Sequence, residues 1–223
     1  MTGAVPSTAL DLGDPLAVAD LRVFLARAKA VEDSGVRLLA AGEVLAVTVG
    51  VLHARTLGEA VPTVLGMRTV ALAAPAHADA VVSIAAVEDR LARLGDTGTV
   101  LGIPPSAVRA PWAAVSPPRG PWTPEGPVGA ELLEQAAAAG MAEVAAAVPQ
   151  QPGAAVVKGA RAAVWSRELE GAPGLAAGAA FAAVALGFVR PGEAVQRYTC
   201  GSWTRLSSSA GHVLCRRAAV LAG

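Results

Sequence analysis

A proline-rich segment in the middle of the chain is the feature that most constrains its fold. Residues 104–127 contain eight of the sixteen prolines and two of the four tryptophans, Trp112 and Trp122. Each proline fixes φ and removes a backbone donor, so neither a continuous helix nor a central strand can run through this segment. The segment is predicted to be either an extended linker between two lobes or an ordered loop pinned by its tryptophans. It separates an N-terminal lobe, residues 1–103, from a C-terminal lobe, residues 128–223.

The overall composition excludes several classes of protein. Charged residues make up 16% of the 223 residues and the hydrophobic set makes up 53%, which rules out a disordered chain. Eighteen basic residues balance eighteen acidic ones, so the electrostatic footprint of a nucleic-acid-binding protein is missing. Alanine supplies 52 residues, and each buried alanine contributes little apolar area. The core is therefore expected to depend on close approach of backbones.

Cysteine, histidine and glycine patterns argue against a metal, a disulfide framework or a nucleotide cofactor. Two cysteines and three histidines are too few and too dispersed for a fold held together by disulfides or for a structural zinc site. Cys200 and Cys215 are predicted to be buried, reduced thiols. The chain contains neither GxGxxG nor GxxxxGK[ST], so no cofactor is predicted. The first residues lack the basic start of a secretory signal, and the expected location is cytoplasmic.

The longest uncharged run, Gly171–Val189, is interpreted as a buried helix. It contains Pro173 and four glycines, and much of the remainder is alanine. A membrane-spanning helix needs about twenty strongly apolar residues, and this run is weak on that scale. No membrane span is therefore expected. A peripheral membrane protein is an alternative that depends on this run alone.

The N-terminal lobe is predicted to contain two helices and three strands. Asp14 is a plausible N-cap, Pro15 suits the first helical position, and Ser34-Gly35 ends the helix. The following elements are a hairpin over Val36–Leu52 that turns at Ala41-Gly42, a strand over Met67–Ala73 and a helix over His77–Leu94.

The C-terminal lobe is predicted to contain two helices and two pairs of strands. These are a helix over Val128–Val148, a hairpin over Ala154–Leu169 that turns at Lys158-Gly159, a buried helix over Leu175–Val189, and strands over 195–206 and 212–217 joined by Ser207–Gly211. If Leu206 pairs with His212, Trp203 and Arg205 share a face with Val213, Cys215 and Arg217.

These elements predict an α+β fold of about four helices and seven strands, arranged as two helix–β-hairpin lobes packed together. Each lobe begins with a helix that is followed by a glycine, Gly35 or Gly153, and then by a predicted hairpin. A diverged duplication explains this match. The alternative is a chance resemblance, because helix–hairpin units are common.

Two sets of residues are candidates for function. The first set forms an interaction surface, because aromatic and arginine side chains in a stiff loop lose little entropy on binding. It comprises Trp112, Trp122 and Arg119 of the central segment, with Trp203 and Arg205 of the C-terminal strands. In the alternative, the two loop tryptophans only hold a long connection against the body, and Trp203 is a core residue with arginines at its edge.

The second set consists of basic residues near strand ends, where α/β folds place ligand groups. His53 and Arg55 follow one strand, Arg68 begins the next, and Arg119 lies in the loop. Together they would bind a small anion. No catalytic residue is assigned, because no nucleophile–base arrangement is recognisable.

The sequence therefore favours a cytosolic, non-enzymatic interaction or scaffold protein with an unknown protein partner or self-association. The alternative is an enzyme or binding protein for a small anionic ligand. Nucleic acid is not an expected partner. The two interpretations differ in geometry: a ligand site needs its basic groups to converge in one pocket, whereas a scaffold needs an exposed patch with a tryptophan.

Overall fold

The computed structural model describes residues 6–56, 58–149 and 153–218. In these residues the chain forms five α-helices, one short 3-10 helix and eight strands. The predicted α+β class with two lobes is confirmed.

The chain divides into two compact units. Unit 1 contains the described residues up to Gly50 together with Met67–Ala114. Unit 2 contains Val51–Gly66 and the described residues from Val115 onward. The change from one unit to the other after Ala114 falls inside the proline-rich segment.

The first seven elements in chain order lie mainly in unit 1. They are β1 (Ala9–Asp11), α1 (Pro15–Val31), β2 (Val36–Leu52), β3 (Thr63–Val82), α2 (Ile84–Arg93), β4 (Val100–Gly102) and the 3-10 helix (Pro111–Ala114). Strand β1 pairs antiparallel with β4, and α1 packs against α2. The start of α1 is as predicted: the Asp14 carboxylate accepts a hydrogen bond from the Leu16 backbone N–H at 2.8 Å, and Pro15 opens the helix.

The remaining elements belong to unit 2. They are β5 (Thr123–Val128), α3 (Ala130–Ala147), α4 (Ala154–Trp165), α5 (Ala177–Ala185), β6 (Val195–Cys200), β7 (Trp203–Ser208) and β8 (Gly211–Arg216). Strands β5 to β8 form an antiparallel meander, and β3 lies beside β8 in the order β2-β3-β8-β7-β6-β5. Helix α5 packs on β8 and on α3 and α4. It is buried on nearly all sides, as predicted for the uncharged run.

Two of the predicted hairpins are wrong, each for a different reason. Val36–Leu52 is one continuous strand, and Gly42 takes a positive φ of 65° within it instead of turning the chain. A glycine inside a strand often marks a bulge or a bend within the strand. Residues 154–165 form helix α4 and contain Gly159 within it. Here the alanine content, which favours helix, outweighs the apparent turn at Lys158-Gly159.

The boundaries of two further elements differ from the prediction. Residues 77–82 continue strand β3, and α2 begins only after Ser83, whose hydroxyl caps the Ala86 N–H at 3.2 Å. Burial in β3 alternates there: Ala76 and Ala78 are buried, whereas His77 and Asp79 are exposed. Because the buried positions are alanines, the sequence does not show a clear alternation of apolar and polar residues here. Consequently α1 is followed by the long strands β2 and β3, whereas α3 is followed by another helix, so Gly35 and Gly153 do not precede equivalent elements in the two lobes.

The C-terminal strands number three, and their register differs by one residue from the predicted register. A turn at Gly201-Ser202 separates β6 from β7. Ser207, not Leu206, lies opposite His212. A shift of one residue exchanges the two faces of a strand, so β8 contributes different side chains to each face.

Candidate interaction surface

An arginine in contact with two aromatic rings is the most distinctive feature of unit 2. The guanidinium carbon of Arg205 lies 4.7 Å from the centroid of the Trp122 ring and 4.6 Å from that of Tyr198. All three side chains are half-buried. We refer to Trp122, Tyr198 and Arg205 as the aromatic–arginine cluster.

Strand pairing explains how the cluster assembles. Tyr198 on β6 lies directly opposite Arg205 on β7, and Arg205 lies opposite Leu214 on β8. Pro124 on β5 lies opposite Tyr198, two residues after Trp122. Cross-strand neighbours on one face are close enough for their side chains to interact. The cluster is therefore set by the register of four adjacent strands and by the loop that leads into β5.

The same sheet face carries further aromatic and basic residues, and we refer to it as the arginine face. Its members in β6, β7 and β8 are Gln196, Tyr198, Cys200, Trp203, Arg205, Ser207, His212, Leu214 and Arg216. Trp203 and Leu214 are buried, at 7% and 2% exposure, and the side chains around them are partly exposed. At one end His212 Nδ1 and Ser207 Oγ are hydrogen-bonded at 2.9 Å. The register correction replaces the predicted Val213, Cys215 and Arg217 on this face by Leu214 and Arg216.

The predicted interaction residues lie in different environments in the structure. It brings Trp122 and Arg205 into contact and places Trp203 on the same face, beneath the surface. Arg119 is exposed in the loop before Trp122. Tyr198 was missed by the sequence prediction, because only the pairing of β6 with β7 shows that it faces Arg205.

Trp112 is not part of a surface, which corrects the prediction for this residue. It belongs to unit 1, is 1% exposed and donates a hydrogen bond from Nε1 to Ser34 Oγ at 3.1 Å. Gly50 faces its ring so closely that a Cβ there would lie 2.5 Å from Trp112 Cδ1. The 3-10 helix over Pro111–Ala114 thus anchors the first part of the proline-rich segment to unit 1.

The predicted anion-binding residues are engaged in separate local contacts. Arg68, in unit 1, donates from Nε to Asp20 Oδ2 at 2.6 Å. His53 and Arg55 are in unit 2, where His53 Nδ1 lies 3.1 Å from the Ala54 carbonyl oxygen. The Arg55 backbone N–H donates to the Glu59 carboxylate at 2.8 Å. The guanidinium of Arg68 is thus already paired with a carboxylate.

Each unit also contains a recess. The recess in unit 1, about 590 Å³, is lined in part by Arg37, Asp79 and Arg109. Arg37 and Asp79 form a two-pronged ion pair with distances of 2.7 and 2.8 Å, and Arg37 holds the pKa of Asp79 below its usual value. The recess in unit 2, about 200 Å³, is lined in part by Pro62 and Leu175.

Cys200 and Cys215 are both free thiols, as predicted, although Cys200 is only half-buried. Burial raises the pKa of the Cys215 thiol, which lines the recess of unit 2 at 2% exposure.

Because the thiolate is the reactive form, we expect iodoacetamide to alkylate Cys200 well before Cys215 in the native protein. Mass spectrometry of quenched samples measures both rates, and reaction in urea provides the control in which the two rates converge. Equal rates in the native protein would contradict the burial of Cys215.

In the described ranges no group of three or more histidine, cysteine, aspartate or glutamate side chains is arranged to hold a metal ion. Among the helices of those same residues, none combines the length and apolar character needed to cross a membrane.

The arrangement of helices and strands is similar to that of DNA sliding clamps. The DNA polymerase sliding clamp from Caulobacter crescentus aligns with a TM-score of 0.50 and 12% identity over 97% of this chain and 67% of that chain. The C. crescentus beta sliding clamp with bound polyethylene glycol aligns with a TM-score of 0.46 and 11% identity, over 92% of this chain and 64% of that one. The H. pylori beta clamp in complex with 5-chloroisatin aligns with a TM-score of 0.46 and 11% identity, over 97% of this chain and 64% of that chain. The chain thus spans about two thirds of the length of these clamps.

At the level of sequence families, the chain matches two descriptions. Residues 5–114 match the family described as "Domain of unknown function (DUF8010)". Residues 117–220 match the family described as "Domain of unknown function (DUF8185)". No curated protein matches the sequence.

Proposed function

We propose that this chain is a non-enzymatic interaction protein that binds a protein partner through the arginine face of unit 2. The observation that carries the proposal is the contact of Arg205 with both the Trp122 ring and the Tyr198 ring on a partly exposed sheet face. Tryptophan, tyrosine and arginine dominate the residues that contribute most to protein–protein binding. Because the three side chains already hold one another in place, little further side-chain entropy is lost when a partner binds.

The similarity in fold to a DNA polymerase sliding clamp supports a scaffold role, as an analogy of fold alone. DNA is not the ligand that we propose. The formal net charge of the chain is zero, with eighteen basic and eighteen acidic residues. Binding to a phosphate backbone depends on a concentration of basic side chains. We further propose a cytoplasmic location, since two free cysteines suit a reducing compartment.

A second candidate function is the binding of a small ligand in the recess of unit 2. Its apolar lining includes Pro62, Leu175 and Ala176, and its charged lining residues are Arg217 and Glu168. Its volume, about 200 Å³, is below the usual range for ligand pockets, roughly 300 to 1,000 Å³. This candidate keeps a small ligand but replaces the predicted His53, Arg55, Arg68 and Arg119 by a different set of residues, in which Glu168 offsets the charge of Arg217.

The proposal predicts that partner capture depends on Trp122. Tagged wild-type protein and the Trp122→Ala variant are used to co-purify proteins from the native cell, with quantification by mass spectrometry. We expect at least one partner to be depleted about tenfold or more by the substitution, since hot-spot aromatic residues contribute about 2 kcal/mol or more. Lys158→Gln, which changes an exposed residue of α4, is the matched control and retains the partner.

Circular dichroism of all three proteins establishes that each is folded at the temperature of capture. Identical captured proteins for wild type, Trp122→Ala and Lys158→Gln would refute the proposed function.

A further inference from the structure

We infer that the arginine face recognises an acidic segment of a partner protein, with one Asp or Glu carboxylate held by the edge of the Arg205 guanidinium. This inference rests on the proposed function and identifies the chemistry of the partner. A guanidinium has two flat faces and a rim of N–H donors. The guanidinium carbon lies 4.7 Å from the centroid of the Trp122 ring and 4.6 Å from that of Tyr198, so a hydrogen-bonding partner approaches the N–H donors that the rings leave uncovered. The rings thus fix the orientation of the donors before any partner arrives.

No carboxylate in the described ranges pairs with the charge of Arg205, whereas three other arginines each have such a partner. Arg37 is paired with Asp79, Arg68 with Asp20 and Arg167 with Glu143. The Arg205 guanidinium contacts the two rings, and no carboxylate in the described ranges forms an ion pair with it. Its Nε is shielded from water and has no acceptor within those ranges.

The surroundings of Arg205 carry the same sign of charge. The arginine face contributes Arg205 and Arg216 from β7 and β8, and its positions in β6, β7 and β8 include no aspartate or glutamate. The carboxylate nearest in the pairing scheme, Glu125 of β5, accepts a hydrogen bond from Thr199 Oγ1 at 2.8 Å. Thr199 projects from the opposite face of β6, because neighbouring residues of a strand alternate between faces. A negatively charged partner therefore complements this face.

The aromatic rings distinguish a protein segment from a simple anion or a nucleic acid. The rings that flank Arg205 offer contact to an apolar side chain next to the acidic one, as in protein–protein hot spots. A duplex would instead need several phosphate contacts, and this face supplies only two arginines. The occupant that fits is a short stretch of polypeptide that combines Asp or Glu with an adjacent apolar residue.

Selection of random displayed peptides on the intact protein tests the inference. We expect the enriched peptides to share an acidic residue next to an apolar one. Replacing that Glu by Gln, or that Asp by Asn, in a synthetic enriched peptide weakens binding roughly 10- to 100-fold, as expected for a charge-assisted hydrogen bond. Arg205→Gln weakens the unchanged peptide by a similar factor, and Arg205→Lys by less, because lysine keeps the charge without the fork.

A double-mutant cycle separates direct contact from loss of structure. Combining Arg205→Gln with the neutralised peptide costs little beyond either change alone, since both remove the same contact. Lys158→Gln serves as the charge-matched control and leaves the affinity unchanged. The neutralised peptide probes the contact on fully wild-type protein, so the inference remains testable if Arg205→Gln fails to fold.

Two outcomes overturn the inference. Enriched peptides that depend on Trp122 and Tyr198 but tolerate neutralisation of every acid refute carboxylate recognition and leave the proposed function intact. An oligonucleotide that displaces the acidic peptide at comparable concentration refutes it in favour of a general polyanion site. The proposed function itself fails only if partner capture is indifferent to Trp122.

Discussion

The Trp112→Ala variant is expected to lose about 3–5 kcal/mol of the free energy of unfolding, the usual cost of removing a large buried aromatic side chain. Trp112 is the largest of the fully buried side chains in the described chain, at 1% exposure. Its removal leaves a cavity beside Gly50 and leaves the Ser34 hydroxyl without the indole donor. Urea denaturation followed by far-UV circular dichroism measures the loss.

Trp122→Ala is the matched comparison, because it removes the same side chain from the same proline-rich segment. Trp122 is half-buried, and its ring stacks on Arg205. A cation–π contact at a partly exposed site contributes about 0.5–1 kcal/mol, and the remaining loss is limited to partial burial. The free energies of unfolding of the two variants should thus differ by about 2 kcal/mol or more. Equal losses would show that the two tryptophans are equivalently buried.

The contrast between these two tryptophans shows where sequence interpretation ends. Each follows a proline within the same short segment, and nothing local distinguishes them. Trp112 is buried because Ser34, 78 positions away, accepts its N–H and because Gly50 leaves room for its ring. Such long-range complementarity becomes visible only once the strands are placed.

Local signals were sufficient at the start of α1, where the N-cap residue Asp14 precedes Pro15 at the first helical position. They failed where alanine and glycine dominate, because alanine favours helix but also fits the buried side of strand β3, and a glycine such as Gly159 resembles a turn. Alanine-rich segments therefore carry weak periodicity, and tertiary packing decides their structure.

The candidate site was likewise predictable from the sequence only in part. That Trp203 and Arg205 share a face follows from their spacing in one strand. The cross-strand neighbours require the register, which a two-residue loop, Ser209-Ala210, fixes between β7 and β8. The preference of hairpins for two-residue loops was the signal that would have given this register. The approach of Trp122 to Arg205 had no such signal, since it depends on the path of an irregular loop.

Gly140→Ala and Gly159→Ala are expected to change stability in opposite directions, although both replace glycine within a helix. Alanine in a helix interior is favoured over glycine by about 1 kcal/mol. Gly159 in α4 is exposed and a Cβ there meets nothing within 4 Å, so the full gain is realised. A gain of 1 kcal/mol raises the melting temperature by about 2–4 °C for a protein of this length.

Gly140 in α3 has no such room. A Cβ there would lie 2.2 Å from Cζ3 of Trp165, which is far inside contact distance. Trp165 cannot retreat easily, because it is 2% exposed and stacked on Phe181 of α5 at 4.6 Å. Overpacking of this kind costs about 1–3 kcal/mol or more, which exceeds the helical gain. Thermal unfolding should therefore give a midpoint above that of wild type for Gly159→Ala and below it for Gly140→Ala. A raised midpoint for both variants would mean that α3 does not pack against the Trp165 ring.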